Sequence, residues 1–211
     1  MKALRGRMLG FDARQTAEDC ATNPLSDDMR QQFLLRPEIE CPVSIDKGIW
    51  PSHFLYHPQI RHLTAPQRPP LIEADTECSG GLWLSLEGMK QRLYEHARPA
   101  VLLAVELFAP EETTVAEFPS TLIYSQPEPS VLPPDSLLLG YDVADAGFTS
   151  GLSNCGYSDG ELGELRPEWG EKINDFGLLR TQDDAFAFVE ITNRRVPEHA
   201  PFWMYGLHRL T

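Results

Sequence analysis

Apolar residues recur along this chain at two spacings, and proline cuts the pattern into short pieces. Ala100–Phe108 is nearly all apolar, broken only by Glu106, and predicts a strand buried on both faces over Val101–Phe108. In Ser136–Val143, residues Leu137, Leu139, Tyr141 and Val143 fall at every second position, the period of a strand with one covered face. Phe202–Leu210 is rich in aromatics and predicts a C-terminal strand, and Thr121–Ser125 a short one.

Helical spacing appears between these runs. Ser26 can cap a short helix bearing Met29 and Phe33, ended before Pro37. Ser85 can cap a helix in which Leu86, Met89 and Leu93 share a face, ended by Pro99. Pro167 suits the first turn of a helix carrying Trp169, Ile173 and Phe176, with Gly177 at its C-terminus. Thr181 and Asp184 resemble a capping box, and the stripe Ala185, Phe188, Val189, Thr192 predicts a helix from about Gln182 to just before Pro197. Interleaved helices and short strands with Pro-rich joins predict an α+β fold, a mixed or antiparallel sheet with packed helices. The 211 residues suit a single domain, 1–211, in which residues 1–70 read as an irregular N-terminal extension. Of the 18 prolines, one group lies between Pro51 and Pro70 and another between Pro127 and Pro134, both readable as surface connections.

Charge changes the picture. Between Arg98 and Arg166 there is no Lys, Arg or His, while eleven acids occur, a net charge of −11. The flanking parts are nearly neutral, so most of the chain's net −13 sits in that third. A one-signed surface repels nucleic acid and anionic membrane and attracts a basic partner. No apolar stretch is long enough to span a bilayer, and the N-terminus has no apolar signal core. The expectation is a cytoplasmic protein with a basic protein partner, and with neither nucleic acid nor membrane as a ligand.

Candidate chemistry is sparse. The cysteines at 20, 41, 78 and 155 are scattered, with no CxxC pair, so reduced thiols are expected. Cys155 lies in a Gly/Ser-rich run. A nucleophile there would take His199 or His208 as base and Asp142 or Asp145 as orienting carboxylate. A reactive thiolate wants positive surroundings, however, and this segment is acidic, so a half-buried cysteine in a turn is the plainer reading. His53, His57 and His62 match no zinc spacing. The carboxylates lack an EF-hand pattern, and neither GxGxxG nor a P-loop occurs. No catalytic residue, metal or cofactor is therefore expected.

The run Tyr141–Tyr157 mixes acids, aromatics and small residues, a composition that suits a protein-binding surface. Asp142, Asp145, Phe148, Tyr157, Asp159, Glu161 and Glu164 are the expected partner-binding residues, the acids steering association and the aromatics anchoring it. Through its Gly140–Tyr157 segment and its segregated acidic charge, the chain resembles the immunity proteins of bacterial interbacterial toxin systems (polymorphic, contact-dependent and type VI). That resemblance implies an inhibitor that masks the active site of a cognate toxin, often a basic nuclease or another enzyme acting in the cytosol. The alternatives are an unrecognised hydrolase using Cys155 or an acidic cluster, and a general acidic adaptor.

Overall fold

The computed structural model describes residues 4–14, 26–45, 78–79, 82–83, 85–96, 101–110, 131–153 and 159–211. Within them lie strands β1 (Leu4–Arg14), β2 (Cys78–Ser79), β3 (Leu82–Trp83), β4 (Val101–Pro110), β5 (Leu137–Ala144) and β6 (Trp203–Arg209). The helices are α1 (Asp27–Phe33), α2 (Leu86–His96), α3 (Asp159–Trp169) and α4 (Gln182–Arg195). The strands form one sheet in the order β2-β3-β1-β4-β6-β5, and every neighbouring pair is antiparallel. This is the expected α+β architecture in its antiparallel form.

β4 is flanked by β1 from Leu4↔Pro110 to Arg14↔Val101 and by β6 from Leu103↔Arg209 to Phe108↔Met204. Its central place explains its near-continuous apolar run. Cross-strand partners share a face. On one face Phe108, Tyr141, Val143 and Met204 pack with Leu162, Leu165 and Trp169 of α3 and with Ala185 and Phe188 of α4. Further along that face Met8, Phe11, Ala13 and Ala104 meet Met89 of α2. The opposite face, with Leu103, Val105, Leu107, Tyr205 and Leu207, is covered by Val43, Ile45, Phe148 and Leu178.

α4 forms as its stripe predicts. Thr181 Oγ1 accepts from the Asp184 amide at 3.1 Å, Phe188 is fully buried, and its ring meets Trp169 edge-on with centroids 4.9 Å apart. Ser26 and Ser85 likewise accept from the amides of Met29 and Gly88.

Three expectations are corrected. The extension reading of residues 1–70 fails at Leu4–Arg14, which is an interior strand of the sheet. Its alternation is interrupted by a register shift between Met8 and Gly10, which hides the period of two. The helix around Pro167 begins earlier, at Asp159, because Leu162, Leu165 and Trp169 share an apolar face. Pro167 falls near its end, the backbone tightens into a 3₁₀ turn at Gly170–Lys172, and Phe176 is exposed. Thirdly, Cys41 is disulfide-bonded, against the expectation of reduced thiols. Scattered spacing carried no information about which cysteines the fold brings together. Thr121–Ser125, the histidines at 53, 57 and 62, and the Pro51–Pro70 stretch lie outside the described residues.

The free edge of β5 is covered. Tyr141 and Leu179 exchange backbone hydrogen bonds of 2.9 and 2.8 Å. The turn before Leu179 is built by Asn174, whose Oδ1 accepts from the amides of Phe176 and Leu178 while Nδ2 donates to the Leu139 carbonyl at 2.7 Å. Gly140 lies under this turn with φ +154°, and a Cβ there would come within 2.8 Å of Asn174 Nδ2 and Leu178 Cβ. Only glycine fits that approach.

Candidate partner-binding surface and the loop behind it

The acidic, aromatic loop after β5 folds inward. Asp145 begins it, and its Oδ1 accepts from the amides of Gly147 and Thr149 at 2.8 and 2.9 Å, the local capture that Asp side chains provide in turns. The loop closes with Thr149 and Gly151: the Asp145 amide donates to the Thr149 carbonyl, and the Gly151 amide to the Val143 carbonyl. Phe148 sits at the tip with φ 61° and is fully buried against Tyr205, the ring centroids 5.5 Å apart.

Asp142 is completely buried and accepts four hydrogen bonds. Ser44 Oγ and the Ile45 amide reach Oδ2 at 2.7 and 2.9 Å, while the Val143 amide and Ser150 Oγ reach Oδ1 at 2.7 and 2.5 Å. One carboxylate thus ties the 43–45 segment, β5 and the loop together. Below it Tyr205 donates its hydroxyl to the Asp145 carbonyl at 3.3 Å. Burial, then the charges of Asp145 and Asp142, push the Tyr205 phenol well above its usual range.

Asp142, Asp145 and Phe148 are therefore corrected as direct partner contacts. Their side chains are spent inside the fold, because a short loop over a sheet buries its aromatic tip and needs acceptors for its amides. Glu161 and Glu164 do lie on the surface of α3, the latter 71% exposed, and both approach Arg195 of α4, at 3.7 and 3.4 Å. Asp159 opens α3, and its side chain, like the whole of Tyr157, lies outside the described part. The predicted surface thus keeps Glu161 and Glu164 and loses its anchor Phe148.

Two histidine–carboxylate pairs emerge. His199 Nδ1 meets Asp145 Oδ2 at 3.0 Å, with the His199 side chain 42% exposed. His208 Nε2 meets Glu106 Oε2 at 2.9 Å on the helix-covered face of the sheet. That pair accounts for the single acid in β4. Burial, and then Glu106, raise the Tyr141 phenol. His199 and Asp145 stood among the candidate base and orienting carboxylate for Cys155, and the fold brings those two together, whereas His208 is taken by Glu106, which the sequence marked only as a lone acid in an apolar run. Cys155, the thiol such a base would serve, is outside the described residues.

No family model, curated protein or solved structure matches this chain. Among the described residues, no group of three or more His, Cys, Asp or Glu is placed to hold a metal ion, and no helix is long and apolar enough to cross a membrane.

Proposed function

We propose that this chain is an acidic protein-binding inhibitor, an immunity protein that neutralises a cognate basic toxin by masking its active site. The observation that carries the reading is the stretch 99–165, with eleven acids and no base. Asp142 and Asp145 are withdrawn from its surface and Glu106 is paired to His208, but Asp135 and Glu164 are exposed and Glu161 is half-exposed. An inhibitor of an enzyme that handles anionic substrates gains by mimicking their charge, which speeds encounter and then pairs with active-site bases.

The reading has its encounter in the cytoplasm. The disulfide at Cys41 pulls the other way, since such bonds persist in oxidising compartments. Alkylating the protein in intact cells and measuring its mass decides between the two.

The functional test is co-expression with the product of the adjacent gene, scored by survival, followed by association kinetics at rising ionic strength. Rescue is expected, with association slowing as the screening length falls from about 10 Å at 0.1 M to about 3 Å at 1 M salt. Reversing Asp135, Glu161 and Glu164 to Lys together should slow association further. No rescue, or rates indifferent to both salt and charge reversal, sinks the proposal.

A second reading rests on the Asp145–His199 contact. A carboxylate on Nδ1 holds the imidazole with Nε2 free to take a proton, the arrangement that activates a nucleophile such as Cys155. Under this reading the Cys155 thiol alkylates rapidly at pH 6, and His199→Gln slows that reaction; an inert thiol removes it.

A further inference from the structure

Several described cations of this acidic chain are answered by a carboxylate: Arg14 by Asp12, Arg30 by Asp27, Lys172 by Glu168 and Asp184, Arg195 by Glu161 and Glu164. A surface cleft of about 490 Å³ departs from that pattern. It lies between the 35–38 segment, the end of α3 and the turn after it, and three arginines line it: Arg36, Arg166 and Arg180. They come from three separate parts of the chain, so no local run of basic residues announced them.

The three are held differently. Arg36 is committed, with Nε on Glu38 at 2.8 Å, Nη2 on Asp175 at 3.2 Å and Nη1 on the Ile173 carbonyl at 2.7 Å. Arg166 gives Nε to the Leu34 carbonyl at 3.0 Å and Nη2 to the Gln31 carbonyl. Arg180 gives Nη2 to the Ile173 carbonyl at 3.1 Å. Neutral carbonyls fix these two guanidiniums in place without cancelling their charge. Among the described residues neither has a carboxylate at ion-pair distance, and Nη1 of Arg166 and Nε and Nη1 of Arg180 make no hydrogen bond. Glu38, paired with Arg36 in the cleft lining, also feels Arg166. Burial pushes its carboxyl up, yet amide donation together with Arg36 and Arg166 outweighs this and holds it below its usual value.

From this geometry we infer that the cleft is a binding site for a small anion carrying a phosphate or carboxylate group, gripped by the free edges of Arg166 and Arg180. The guanidinium fork matches two oxygens of such a group. The volume is that of a small-molecule site rather than a single ion. Immobilised donors bind without the ordering cost that free arginines would carry. Glu38 and Glu171 also line the cleft and oppose an anion, against three arginines that favour it.

The test is calorimetric titration of the full chain at low salt with inorganic pyrophosphate and, separately, with citrate. Saturable one-to-one binding of at least one is expected, and which one binds identifies the phosphate or the carboxylate as the recognised group. Arg180→Ala should weaken it about tenfold or more, the loss of one charge-assisted contact. Arg180→Lys, which keeps the charge and loses the fork, should also weaken it. Glu171→Gln should tighten it, a readout that survives if an arginine variant folds poorly. Lys90→Ala, an exposed cation on α2, should change nothing. Absence of saturable heat with both anions, binding unchanged in Arg180→Ala, or an equal loss in Lys90→Ala overturns the inference.

Discussion

Replacing Asp142 by Ala should unfold the junction between the sheet and its covering segment rather than alter a surface. The carboxylate is fully buried and takes four hydrogen bonds, two from backbone amides and two from serine hydroxyls. Hydroxyls can turn toward other acceptors. The amides of Ile45 and Val143 are held by the backbone and lose their partner outright. A buried donor left unsatisfied costs about 1–3 kcal/mol, so the two amides together predict about 2–6. A hydrogen bond to a charged acceptor is worth about 1.5–3 kcal/mol, so the two amide bonds give about 3–6, within that range. We therefore expect a loss of about 3–5 kcal/mol, a large share of the roughly 5–15 kcal/mol available to a domain. Asp142→Asn, which keeps the volume and one acceptor, should fall between. The assay is urea unfolding followed by circular dichroism, with the slope checked for constancy so that the midpoint reports stability. A loss below about 1 kcal/mol at unchanged slope would refute the reasoning, because water must then reach those amides. The result also bears on function: any loss of partner binding in an Asp142 charge reversal would then report misfolding, not a contact.

Phe188→Ala should cost about 3–5 kcal/mol in the same assay, since the ring is fully buried against Trp169 in the helix–sheet core; a loss under about 1 would mean that α4 is loosely docked. Gly140→Ala should destabilise by about 2–4 kcal/mol, from a positive φ and a Cβ pressed on the Asn174 turn. Gly163→Ala, in open space on α3, should instead gain about 0.5–1 kcal/mol. Tyr205, whose phenol is raised in the folded state, contributes stability that is complete below its unfolded pKa of about 10 and is lost as pH rises toward the folded value. Tyr205→Phe should therefore flatten the alkaline decline, at the cost of the hydroxyl's bond to Asp145; an unchanged alkaline slope contradicts this. Thiol titration of the unreduced, denatured chain should find at most two free thiols, because the Cys41 disulfide takes two of the four cysteines. Four would show that the bond does not form.

The elements that sequence reasoning located are those whose burial follows a simple period. Val101–Pro110 is apolar apart from Glu106 because it is interior to the sheet, paired on both sides, and α4 shows its stripe because one face packs on the sheet. β1 was missed because a register shift breaks its alternation and its glycines and arginines look like a loop. α3 was placed too late because Gly160 and Gly163 masked the spacing of Leu162, Leu165 and Trp169, and because Pro167 is commoner at a helix start than near its end. The candidate site fared worse for a physical reason. A carboxylate in a polar loop has the same local signature whether it faces water or accepts amides from the opposite side of the fold.

The chain by itself determined the period of its main helices and strands, and therefore the α+β class, since periodic burial is a local property written along each segment. It also determined the charge imbalance, because net charge adds up residue by residue whatever the fold. Exposure does not add in this way. Ser44 meets Asp142 across 98 positions, His199 meets Asp145 across 54, and Arg36 reaches the Ile173 carbonyl across 137. Those separations carry no sequence signal, so only the tertiary structure decided which acids became internal braces, which stayed on the surface, and that three distant arginines share one cleft in an otherwise acidic protein.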